Sequence, residues 1–112
     1  MKAHLLVAGL LVISTMTYAV DSSPQNQRHR YLIERNFAKG AIDGLDGKAK
    51  ARVNSTNARY GVKWLLSYST ADRTRTFCIY DAPSEQAIRD AANANHLPVD
   101  AITEVPVTLE SH

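Results

Sequence analysis

Cys78 is the only cysteine in the 112 residues, so the chain can close no intramolecular disulfide and carries no CxxC redox or zinc motif. Also missing are a Gly-rich phosphate loop, an HExxH pair and a Gly-x-Ser-x-Gly nucleophile turn, which leaves standard catalysis without a sequence foothold. An excess of charge of one sign is lacking too. The formal net charge is +2, and nothing in that total calls for nucleic acid or an anionic membrane. No apolar run reaches the roughly 20 residues that cross a bilayer. The run that exists, Leu5 to Ile13, follows Met1-Lys2 and precedes Thr17-Tyr18-Ala19, which is the layout of a secretory signal cut after Ala19. A membrane anchor is the rival reading, disfavoured by the short run and by Ser14, Thr15 and Thr17 behind it.

The expectation is therefore an exported protein, periplasmic or secreted, with residues 1–19 as signal peptide and no membrane attachment after cleavage. Asp21 to Arg28 contains no large apolar side chain and cannot offset its ordering entropy by burial, so residues 20–29 read as a flexible leader. Residues 30–112 then form one domain, since the length leaves no room for two. Basic residues concentrate before Arg75 and acidic ones after Thr76, a polarity that favours self-association or an oriented partner.

The apolar periodicity supplies the architecture. Arg30 to Phe37 alternates aromatic and β-branched residues with polar ones, as a strand does. Gly40, Gly44 and Gly47 mark a loop, after which Leu45, Ala49, Val53 and Thr56 recur at helical spacing until Gly61 offers a cap. Gly61 to Ser69 reads as a second strand with Val62, Trp64, Leu66 and Tyr68 on one face. Ala71-Asp72-Arg73 turns the chain into a third, Thr74 to Asp81. Ser84 and Glu85 start a helix whose stripe, Ala87, Ile88, Ala91 and Ala92, ends before Leu97-Pro98. A last strand carries Ile102, Val105, Val107 and Leu109, limited near Pro106. The order β-α-β-β-α-β predicts an α+β, ferredoxin-like sandwich: a four-stranded antiparallel sheet with two helices on one face. Trp64, Tyr68, Phe77 and Tyr80 give that sheet more aromatic area than one side needs, which points to a homodimer.

The residues that carry chemistry are few. Cys78, between Phe77 and Ile79 in a strand, is a small buried hydrophobe on the plainer reading and a metal or redox thiol on the sharper one. His29 lies between Arg28 and Arg30 and His112 ends the chain, which suggests solvated side chains for both. His96 follows Asn95 where the second helix stops; it serves there as a left-handed cap or as a metal ligand. Glu34 and Glu104 lie in the first and last strands, so neighbouring strands would present both carboxylates on one sheet face. The alternative for Glu34 is an ion pair with Arg35, Arg73 or Arg75.

Four blocks of the chain carry a resemblance: Tyr31-Leu32-Ile33-Glu34-Arg35, Gly61 to Tyr68, Thr74 to Pro83 and Leu97 to Val105. In that order they resemble the small nickel-binding protein family catalogued as a domain of unknown function. The resemblance implies a ferredoxin-like fold, a dimer and, in some members, bound nickel; it implies no enzyme. This chain departs from the family pattern at Leu66, where members often carry histidine, and at Asn95-His96, where Asn-Gly is usual. The resulting expectation is a binding protein that takes nickel or another divalent transition metal through Glu34, Cys78 and His96, with Tyr68 as a further candidate. The alternative is a small-molecule binder or enzyme of the dimeric α+β barrel type, in which Trp64, Tyr68 and Tyr80 line a pocket between sheet and helices.

Overall fold

Residues 27–112 are described by the structure, a computed structural model; the signal peptide expected at 1–19 and all but the end of the expected leader lie outside them. In chain order the elements are β1 His29–Asn36, α1 Gly47–Arg59, β2 Lys63–Ser69, β3 Arg75–Ala82, α2 Glu85–Ala94 and β4 Ala101–Glu104. The strands form one sheet in the order β2-β3-β1-β4, every neighbouring pair antiparallel. Since β1 and β2 both run opposite to β3, they are parallel to each other, and α1 is the crossover that parallel strands require. The α+β ferredoxin-like order expected from the sequence is the one observed.

Alternation in β1 and β3 decides which face is covered. Tyr31, Ile33 and Arg35 are buried, as are Thr76, Cys78, Tyr80 and Ala82, while the residues between them are not. Against this inner face α2 sets Ile88, Ala91 and Ala92, and Val62 closes the core beside them. Ile33 and Ile88 are fully enclosed, and burying each side chain stabilises the fold by about 1.5–3 kcal/mol.

Both helices begin and end by the same devices. Asp46 accepts from the Ala49 amide at 2.8 Å and Ser84 from the Ala87 amide at 3.1 Å, each satisfying an orphan N–H of the first turn. At the other end, Gly61 (φ 73°) donates to Ala58 O while Val62 donates to Asn57 O; His96 (φ 58°) and Leu97 repeat the pattern on Asn93 and Ala92. His96 thus holds the left-handed cap position that glycine holds after α1.

Three details depart from the sequence expectation. A bulge between Trp64 and Leu66 leaves Leu65 unpaired and reverses the facing of the residues after it. Trp64 stands opposite Tyr80 and Ser67 opposite Cys78, on the inner face, while Leu66 and Tyr68 stand opposite Ile79 and Phe77 on the outer one. Strand β4 stops at Glu104, and Val107 and Leu109 beyond Pro106 are exposed. Glu34 and Glu104 do not share a face, because Glu104 pairs with inner-facing Tyr31 whereas Glu34 sits one position from inner-facing Ile33.

Candidate functional site

Between the inner face of the sheet and α1 lies a cavity of about 80 Å3, with Trp64, Cys78 and Tyr80 in its wall alongside Arg35, Val53, Ser67 and Thr76. Tyr68, expected in the same aromatic pocket, is 67% exposed on the opposite face because the bulge in β2 turns it outward. The same bulge lets the Trp64 indole Nε1–H donate to Ser67 Oγ at 2.9 Å, an inward pair that regular alternation would forbid. A wider cleft of about 500 Å3 shares the walls Ile42, Leu45, Trp64 and Ser67 and adds Lys50, Asn54, Leu65, Leu66, Ser69 and Arg73.

A buried polar chain backs the cavity. Arg35, 2% exposed, donates from Nη1 to the Pro98 carbonyl and from Nη2 to the Tyr80 hydroxyl at 3.2 Å, with its guanidinium carbon 5.6 Å from the centre of the Tyr80 ring. Burial raises the Tyr80 hydroxyl above its ordinary value near 10, and the neighbouring Arg35 charge pulls it part of the way back. Asn57, also 2% exposed, accepts from Asn95 Nδ2 at 3.0 Å and ties α1 to the end of α2, while its own Nδ2 has no partner among the described residues.

The three expected metal ligands are held apart. Glu34 faces the outer side, where Arg75 Nη2 donates to its Oε1 at 2.8 Å, the ion pair that was the alternative for it. Cys78 is buried in the core, its Sγ 3.6 Å from Thr76 Oγ1, and His96 is exposed in the turn after α2. Among the described residues no three histidine, cysteine or acidic side chains gather into a metal-ligating group.

The structure does assemble a pair of donors that sequence reasoning misses. His29 Nδ1 lies 2.9 Å from Glu104 Oε2 where the start of β1 meets the end of β4, and both side chains are partly open to solvent. The flanking cations are engaged elsewhere: Arg28 on the carbonyls of Gly61 and Asp81, Arg30 on the Asp81 carboxylate at 3.0 Å. That pairing with Asp81 raises the Arg30 guanidinium, which stays charged. The two donors open onto a cleft of about 310 Å3 whose wall continues through Val105, Pro106 and Thr108. The available signal is topological: antiparallel first and last strands bring the start of one to the end of the other.

A model of the SCO4226-like family, described as nickel responsive protein SCO4226-like, matches residues 31–105, the span of the four resembling blocks. No curated protein matches. Among solved structures, the crystal structure of SCO4226 from Streptomyces coelicolor A3(2) superposes with a TM-score of 0.62 at 15% identity, covering 71% of this chain and 99% of that one. At that identity the likeness speaks for the fold alone.

Proposed function

We propose, since the chain belongs to the SCO4226-like family of nickel-responsive proteins, that it is a small exported binding protein that takes nickel and acts as a homodimer. The observation that carries the metal reading is the His29–Glu104 pair, because an imidazole nitrogen beside a carboxylate oxygen is the donor chemistry that divalent nickel favours. These two side chains would hold the ion, with water or the pair from a second copy filling its remaining positions. Support for the dimer comes from the outer sheet face, where Leu66 and Tyr68 are exposed beside the half-buried Leu32, Phe77 and Ile79. A ligand that binds only the folded state raises its melting temperature, so nickel should raise that of the metal-stripped protein and fail to raise that of His29→Ala or Glu104→Ala. A full shift retained in both variants would move the site elsewhere, to Glu34 or His96 in the first instance.

A second reading has its own observation. Trp64 and Tyr80 share the wall of an apolar, half-open cavity between sheet and helix, which is the form of a small-molecule site.

A further inference from the structure

We propose that the cleft at His29 and Glu104 takes nickel as its complex with a small polycarboxylate chelator, and not as the bare ion; this rests on the nickel reading of that pair. His29 Nδ1 and Glu104 Oε2 are 2.9 Å apart. Nitrogen and oxygen donors sit about 2.0–2.2 Å from a divalent ion such as zinc, so two donors at right angles around one such ion lie ~3 Å apart. Right angles are what the square-planar and octahedral sites of nickel require. The pair therefore fits two neighbouring positions of one ion, once the imidazole carries its proton on Nε2 and presents Nδ1. Asp81, the other carboxylate of the cleft, is held by Arg30 at 3.0 Å. Among the described residues no third histidine, cysteine or acidic side chain completes a ligating group, so the remaining positions fall to a ligand that the cleft must hold.

The charges of the cleft favour an anionic complex. Two guanidiniums, Arg28 and Arg30, and two carboxylates, Asp81 and Glu104, line it and balance. A bare dication would add two positive charges beside those guanidiniums, and like charges so placed repel. The carboxylates of a chelator remove that excess. Arg28 is positioned to hold one of them, because its Nη2 is anchored on the carbonyls of Gly61 and Asp81, each at 3.0 Å. Those neutral acceptors fix the guanidinium without cancelling its charge, and no carboxylate among the described residues pairs with it. A guanidinium has five N–H donors in a fork that matches a carboxylate, so the anchoring leaves donors for the ligand. The cleft of about 310 Å3 is about twice the ~150 Å3 that holds benzene, which admits a six-carbon chelator beside the ion.

The test titrates the metal-stripped protein, in a buffer that does not bind metal, with nickel chloride, with citrate and with preformed one-to-one nickel citrate. Calorimetry follows binding, and ultrafiltration shows whether nickel and citrate are retained together. Nickel citrate should bind one per chain, at least about tenfold tighter than nickel alone, with both components retained in equal amounts. Citrate without nickel should bind at least about tenfold more weakly than the complex. Arg28→Met should remove the advantage of the complex while leaving the affinity for nickel alone unchanged, and His29→Ala should weaken both. The comparison of nickel with nickel citrate needs no variant and decides the matter even if Arg28→Met does not fold. Saturable binding of nickel that citrate strips away overturns the chelate assignment and leaves the nickel reading in place. Citrate that binds equally with and without nickel also overturns it, by making the cleft a plain anion site. Binding of neither nickel nor its complex overturns both readings.

Discussion

At the scale of single residues, the buried pair Arg35–Tyr80 sets the chemistry of the interior. Because burial raises the Tyr80 hydroxyl, the folded state keeps its proton at pH values where the unfolded chain, near 10, has released it. The contribution is fully present below about pH 10 and is lost as pH rises above it, at up to about 1.4 kcal/mol per pH unit for this one proton. Melting temperature against pH should therefore be level from neutral to about 10 and then fall, and Tyr80→Phe should flatten part of that fall. A fall of unchanged steepness in the variant would show that Tyr80 is not the group responsible. His96 makes a different point. Its positive φ of 58° is a conformation that glycine adopts without strain, so His96→Gly should stabilise the fold by about 0.5–1 kcal/mol. Chemical denaturation measures this, and a loss of stability would show that the imidazole makes contacts worth more than the strain. Neither Arg35 burial nor the Tyr80 contact was legible in the sequence, because an arginine in a strand ordinarily faces water and only its phase with Tyr31 and Ile33 turns it inward.

At the scale of elements, the order and type of all six were legible, since each had its own periodicity and its own stop. Ser84 and Glu85 open α2, Gly61 closes α1, and Pro106 keeps β4 from running on. The bulge in β2 was not legible, because Leu65 and Leu66 are both apolar and a doublet gives no sign of which one faces in. That single extra residue separates Tyr68 from Trp64 and Tyr80, and it accounts for the error in the expected aromatic pocket. The donor pair His29–Glu104 escaped for a related reason. Register between β1 and β4 joins residues 75 positions apart, and charge neighbours in sequence say nothing about it. The capping account predicts that Asp46→Ala, which removes the acceptor for the Ala49 amide, costs about 1 kcal/mol in equilibrium unfolding. A negligible change would mean that water replaces the cap without loss.

At the scale of the whole molecule, the sheet has one face packed under two helices and another that shows Leu66 and Tyr68 to the surroundings. Burying that face between two copies would account for both, and it predicts that Leu66→Asp with Tyr68→Asp yields a folded monomer where the parent measures as a dimer by light scattering. A parent of monomeric mass would leave the outer face without this explanation. The family to which the chain belongs is named for its response to nickel, and the donors that suit the ion lie where β1 starts and β4 ends. The most direct test is calorimetric titration of the metal-stripped protein with nickel, beside zinc, cobalt and copper, with His29→Ala run in parallel. Saturable nickel binding is expected at a whole-number ratio to the chain or the dimer, lost or weakened at least about tenfold in the variant. No nickel binding by the parent, or identical binding by the variant, would contradict it.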